Sequence, residues 1–388
     1  VSHPVPPPMP ALPRKLRDVG APIAAIIVLG TLVALILVLL TSVNPLGTVV
    51  GFVLTSIAMT AVVLAYLWLD RWEPEPPRLL VLAFLWGASV AVLLSVVLEL
   101  VTESVVNPAA ADAAGGPVAS AFTVAVAAPV IEEAAKGLFL LIMMTGRRRH
   151  ELNSLTDCLV YAGITAAGFG WIEDIFYIAD GDSLGASLAT AALRLLMAPF
   201  AHPLFTTFTG IGVYFALQQR HALAKVGCIA LGYAAAVVMH GLWNGSALFG
   251  VGAYFGLYVL WMMPVFALAI VLAVQSRRRE QRVVAATLPG MVTAGLISPA
   301  EAGWLGSLRA RKHAIAAVTR VGGRRAGREV KTFAAQVVEL AFVRDRIDRG
   351  FGDPWVHTLL YDETQRVYAA RAVAAPALQH LSAHRHPG

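Results

Sequence analysis

Apolar residues in this chain come in long runs and do not alternate. Eight runs stand out, at 21–43, 46–69, 79–101, 118–145, 155–179, 186–217, 225–249 and 251–275. A helix crossing the hydrocarbon core of a bilayer takes about 20 mostly apolar residues. The pattern predicts an all-α fold: a polytopic membrane helix bundle of about eight transmembrane helices. Runs four and six are longer than a span requires, and Pro129 or Pro199 offers a place for a kink. The first run is too long for the apolar core of a signal peptide and lacks a small-residue cleavage pattern, so it reads as a retained span.

After residue 276 the pattern changes. The chain becomes polar and basic, and apolar residues recur at helical spacing: Val330, Phe333, Ala334, Val337, Val338 and Ala341. Ser298-Pro299-Ala300-Glu301 reads as a helix start, with an N-cap serine, a proline in the first turn and a capping-box glutamate. The predicted organisation is a proline-rich, disordered cytoplasmic N-terminus over 1–20 and a membrane domain over 21–275. A basic helical cytoplasmic region over 276–378 follows, then a disordered tail over 379–388 with His380, His384 and His386. The basic region reads as a small helical bundle, and a cytoplasmic partner is the functional alternative for it.

Composition supports the membrane reading. The chain is 57% hydrophobic and only 14% charged, against about a quarter charged in soluble domains. Its net charge of +6 is clustered beside apolar runs, which suits a lipid surface and not a nucleic acid. Cys158 and Cys228 are too few for a disulfide framework. Arg14, Lys15, Arg17, Arg71, Arg78, Arg147, Arg148, Arg149, Arg220, Lys225, Arg277, Arg278, Arg279 and Arg282 all fall on one set of alternate loops and ends. The opposite loops hold Glu103, Asp112, Asp180 and Asp182 and no Lys or Arg. The excess of positive charge predicts a multi-pass protein of the plasma membrane with both termini cytoplasmic.

Several ionisable groups interrupt the runs. Glu132, Glu133 and Lys136 sit in the fourth, Glu173 and Asp174 in the fifth, Arg194 and His202 in the sixth, and His240 and Asn244 in the seventh. A charge at the bilayer centre costs about 2.5–3.5 kcal/mol even on the lenient insertion scale, so such groups face the bundle interior and pair there. Counted from the outer ends of their runs at 1.5 Å per residue, Glu132 is about 21 Å deep, His202 about 24 Å, His240 about 14 Å and Glu173 about 9 Å. One shared site in the middle to outer half of the membrane is compatible with all four. Lys136 reaches either glutamate at i+3 or i+4, and the two glutamates point about 100° apart, so they take different roles. Arg194, about 12 Å from the outer end, reads as a side chain snorkelling to the interface. The acidic stretch Asp70–Pro77 lies on the cytoplasmic side, and its prolines fix a stiff turn with a structural or docking role.

A buried carboxylate can take a proton from water and return it, while histidines and an asparagine orient the water and the oxyanion. No serine or cysteine stands in an obvious nucleophile arrangement. Hydrolysis by an activated water is the natural chemistry. Zinc held by Glu173, His202 and His240 also fits, as three N/O ligands plus water; metal-free hydrolysis stays open beside it. A proton- or ion-coupled transporter or channel and a non-catalytic scaffold are the rival classes. A transporter would show two repeated halves with interrupted helices, and the sequence shows no such repeat.

Glu132-Glu133-x-x-Lys136 resembles the EExxK motif of the PrsW family of intramembrane proteases. Phe169-x-x-x-Glu173 is similar to that family's FxxxE, and His202-Pro203 and His240-x-x-x-Asn244 to its two later histidine motifs. Asp70-Arg71-Trp72-Glu73-Pro74-Glu75-Pro76 resembles its acidic proline loop. The resemblance covers roughly 20–275 and relates the chain to the CAAX-prenyl endopeptidases and bacterial immunity-type membrane proteases. It implies an intramembrane peptidase in which Glu132 activates water, supported by Glu133 and Lys136. Glu173, His202 and His240 would then hold the water or a metal, and Asn244 would steady the oxyanion. It also implies a single-span membrane substrate such as an anti-sigma factor, cut on its extracytoplasmic side in a signalling cascade. Glu173 stands where the prenyl endopeptidases have histidine, which speaks against prenylated substrates.

Overall fold

In a computed structural model the described residues are 23–108, 119–351 and 354–383. They are helical throughout, with no strand among them. The readings made for 1–20 and for His384 and His386 lie outside the described residues. The chain forms two compact units, one spanning Gly20–Ser276 and one formed mainly by Arg277–Gly388.

The first unit holds α1 (Ile23–Val43), α2 (Pro45–Leu69) and α3 (Pro77–Val106), then α4, helical over 121–143. α5 (Leu155–Ala179) and α6 (Leu184–Ala191) follow, the latter continued by a π-helical stretch, Ala192–Met197. α7 (Ala201–Leu217), α8 (Ala222–Leu248) and α9 (Val251–Thr293) complete the unit, and the last of them runs on past its end. Seven helices among the described residues are long and apolar enough to cross a membrane. The remaining predicted run, the fourth, is α4, set apart from those seven by three ionisable side chains in its middle. The sixth predicted run divides: between Met197 and Ala201 the helix breaks, with Ala198 at φ −127°.

α5 is the hub. Nearly all of it is buried, including Val160, Tyr161, Ile164, Ile172 and Ile175. The most apolar span, α1, is among the least covered, as expected where lipid is the solvent of the outer helices. α3 crosses α5 at backbone distance. A Cβ on Gly87 would lie 1.9 Å from the Thr165 carbonyl oxygen, and one on Gly168 would lie 2.0 Å from that of Phe84. Only glycine fits both sides of that crossing, the small-residue packing that membrane helices use.

Four π-helical stretches interrupt the helices of this unit, and three end two residues before a proline: Thr123–Ala127 before Pro129, Ala192–Met197 before Pro199, and Tyr258–Met262 before Pro264. Proline lacks an N–H and crowds the carbonyl four residues back. At Pro129 and Pro264 one wider turn relieves the clash without ending the helix, whereas before Pro199 the helix breaks.

The loop Asp70–Pro76 folds inward. Asp70 Oδ2 accepts the Glu75 N–H (2.8 Å), and Glu75 Oε2 accepts the Tyr161 hydroxyl (2.7 Å). Asp157 in the first turn of α5 accepts the N–H groups of Asn153 (2.9 Å) and Ser154 (2.7 Å). Burial pushes the Asp70 carboxyl up to about 8, and burial with the nearby Asp157 charge pushes Glu75 upward as well. The stiff turn expected of the prolines is thus a plug of acids packed against the start of α5.

In the second unit, α10 (Pro299–Leu305), α11 (Leu308–Arg346) and α12 (Pro354–Ala383) follow the end of α9. The Ser298–Glu301 capping box is formed in both directions, at 3.2 and 2.7 Å. Val330, Phe333, Ala334, Val337, Val338 and Ala341 are the buried face of α11, so the helical stripe is core. α12 runs to Ala383, into the stretch read from the sequence as a disordered tail.

Candidate active site

The π-helical stretch of α4 prepares the site. Pro129 has no N–H for the Ala125 carbonyl, and α8 comes close to that carbonyl at Gly241, where a Cβ would lie 2.7 Å from its oxygen. Asn244 Nδ2 donates to the neighbouring Val124 carbonyl (3.3 Å), and the Tyr233 hydroxyl donates to that of Val130 (2.7 Å). These contacts fix α8 to α4 over the two turns before Glu132. Asn244 therefore ties two helices, and its amide is not among the groups that converge on the centre. From the other side, Trp86 Nε1 donates to the Ala135 carbonyl (3.1 Å).

Glu132, Glu133, Lys136, His202 and His240 are all buried. The adjacent glutamates have different surroundings. Glu133 Oε1 lies 2.6 Å from Lys136 Nζ and 3.1 Å from His240 Nδ1, and Glu133 Oε2 accepts the Thr206 hydroxyl (2.9 Å). Glu132 Oε2 lies 3.6 Å from Lys136 Nζ and 3.8 Å from His240 Nε2, and this buried oxygen accepts no hydrogen bond. Glu133 is the anchor and Glu132 the open carboxylate.

The two imidazoles are fixed from outside. With Glu133 as acceptor, His240 carries its proton on Nδ1 and turns Nε2 toward Glu132. His202 Nε2 contacts Glu173 Oε2, which leaves Nδ1 facing Lys136 Nζ at 3.4 Å. The rings meet edge to face at 5.3 Å, and Phe205 stacks on His240 at 4.7 Å. Phe169 lies under the Lys136 ammonium at 4.4 Å and against His202 at 5.4 Å. The phenylalanine of Phe169-x-x-x-Glu173 thus serves the lysine of the paired-glutamate motif.

One carboxylate oxygen of Glu132 and one ring nitrogen each of His202 and His240 lie within 4.8 Å of one another. This is the set of donors a metal ion would find. It differs from the set expected from the sequence, Glu173 with the two histidines. Glu173 stands behind His202, held by the imidazole and by Arg194 Nη2 (2.8 Å). The fit to a metal rests on Glu132 Oε2, a buried oxygen with no hydrogen-bond donor, facing two oriented imidazoles.

Arg194 does not snorkel free. It is paired with Glu173 and with Asp174 (Nε to Oδ1, 2.5 Å). Thr206 and Glu99 were not singled out in the sequence. Thr206 lies one helical turn after His202, a position that spacing alone could have suggested. Glu99 lies half-buried near the end of its run.

No curated protein and no solved structure matches the chain. The family described as PrsW family intramembrane metalloprotease matches residues 75–269, just over half of it. That stretch encloses all the converging groups and most of the helices that carry them, and the chain belongs to the PrsW family of intramembrane metalloproteases.

Proposed function

We propose that this protein hydrolyses a peptide bond of a single-span membrane protein, such as an anti-sigma factor, with Glu132 as general base. The observation that carries this reading is the contrast within the pair: Glu133 is saturated by Lys136, His240 and Thr206, while Glu132 keeps a buried oxygen that accepts nothing. A water beside that oxygen gives its proton to Glu132 as its own oxygen attacks the carbonyl carbon. The C–N bond breaks, and Glu132 returns the proton to the leaving amine. Glu133 and Glu173 act through the imidazoles, each holding one ring in one orientation. Lys136 balances the charge of Glu133 in a place where an unpaired carboxylate would be costly.

Glu132, His202 and His240 are the residues that would hold a metal. Two imidazoles and a carboxylate suit zinc, which polarises a scissile carbonyl and acidifies water. The Arg-rich loops support an orientation in the plasma membrane with both termini cytoplasmic.

The test is cleavage of single-span substrates by the full chain reconstituted in vesicles. Glu132→Gln is expected to lower turnover by about 10²–10⁴-fold, the usual weight of a general base. A chelator is expected to abolish cleavage and added zinc to restore it. Membrane proteomics of cells carrying Glu132→Gln should show an uncut single-span protein accumulating. Wild-type turnover in Glu132→Gln would refute the assignment.

A further inference from the structure

Arg194 stands one step behind the converging groups, and its contacts are specific. Its Nη2 donates to Glu173 Oε2 (2.8 Å) and its Nε to Asp174 Oδ1 (2.5 Å). The guanidinium lies 4.1 Å from the Tyr177 ring centroid. Glu173 Oε2 is also the atom that contacts His202 Nε2. One carboxylate oxygen is therefore shared by an arginine and an imidazole carried on separate helical segments. Arg194 sits in the π-helical stretch after α6, Glu173, Asp174 and Tyr177 on α5, and His202 in the first turn of α7.

The chemistry of the side chain matters here. Adjacent residues on a helix point about 100° apart. A planar guanidinium offers donors along two edges and can bridge two such carboxylates while its face stacks on an aromatic ring. An ammonium is a point charge and satisfies one of them at a time. Glu173 alone has torsional freedom; pinned by Arg194, its Oε2 stays where the His202 ring needs an acceptor. A histidine whose outer nitrogen is held by a carboxylate keeps one tautomer and one orientation, and loss of such outer partners typically costs about 10–100-fold in metal affinity or activity.

We propose that Arg194 is a positioning residue of this site: it holds the Glu173 carboxylate against His202 Nε2 and so keeps His202 Nδ1 turned toward Lys136 Nζ. Its effect on turnover rests on the proteolytic reading above, but its effect on the His202 ring does not.

The experiment uses the full chain, labelled with ¹⁵N-histidine and held in lipid nanodiscs. The ring signals of His202 are assigned by their loss in His202→Asn. Wild type is expected to show His202 with its proton on Nε2 alone. Arg194→Met should give a mixture of the two tautomers and lower kcat by about tenfold or more, with KM within about twofold. Arg194→Lys should fall between wild type and Arg194→Met in both readouts, and it carries the test if Arg194→Met does not fold. Unchanged ring signals and kcat in Arg194→Met would overturn the proposal. So would a raised KM at constant kcat, which would put Arg194 on the substrate, or an Arg194→Lys variant identical to wild type in both readouts. If wild type cleaves nothing while Arg194→Met still mixes the tautomers, the positioning role stands and the proteolytic reading falls. If wild type cleaves and both Arg194 variants match it, the positioning role falls alone.

Discussion

The two ends of α5 each bury carboxylates, and they do it in opposite ways. At its start, Asp157 joins Asp70 and Glu75, and the partners seen there are neutral: backbone N–H groups, the Tyr161 hydroxyl and the Ser154 hydroxyl. Toward its end, Glu173 and Asp174 join Glu132 and Glu133, and the partners are Lys136, Arg194 and two imidazoles. Neutral donors and a bound proton make a cluster that closes the fold. Toward the end of the helix fixed cations pair with the carboxylates, and one carboxylate is left with an open oxygen. Burial of acid is common to both ends, so burial alone does not mark the site; the company of the acids does.

The largest break in that comparison is Lys136→Met. Removing one partner of a buried ion pair strands the other charge, at a cost of about 3–5 kcal/mol. Thermal unfolding in detergent should show that loss, and Lys136→Met with Glu133→Gln together should recover most of it. A double variant no more stable than the single one would mean that the pair is not the unit. At the other end of the helix, Tyr161→Phe removes one neutral donor from Glu75 and is expected to cost about 1–3 kcal/mol, with turnover nearly unchanged.

The clusters should also separate by pH. Asp70 is raised from 3.8 to about 8 in the fold. The folded chain then holds a proton that the unfolded chain releases, so this contribution to stability is complete below about pH 4 and is lost as pH rises through about 8. The wild-type melting temperature should fall over that window relative to Asp70→Asn. Parallel curves for the two proteins would remove Asp70 from the account. The smallest effect is expected from Asn244→Ala. An interhelical side-chain bond in a membrane bundle is worth about 0.6 kcal/mol on average, and turnover should change by less than about threefold. A loss of a hundredfold would return Asn244 to the reacting centre.

What could be read in advance follows the same division. Glu132, Glu133, Lys136, His202 and His240 were legible because each interrupts an apolar run, and burial of a charge in lipid demands a reason. The Ser298 cap and the Val330–Ala341 stripe were legible because they are local rules of spacing. Pairing across helices is not a property of spacing. The place of Glu173 behind His202, the grip of Arg194 on two acids and the donation of Thr206 to Glu133 depend on how segments face one another. The same limit hid the donation of the Asn244 amide to the Val124 carbonyl.

The break between Met197 and Ala201 has a consequence for how this region tolerates change. In an uninterrupted helix, residues 194 and 202 would lie about 12 Å apart along the axis and about 80° around it. The three residues Ala198, Pro199 and Phe200 cancel that offset, so that both side chains arrive at one oxygen atom. Their number and their refusal to be helical set the rotational phase of α7, and an inserted or deleted residue there would turn His202 away without altering any side chain of the site.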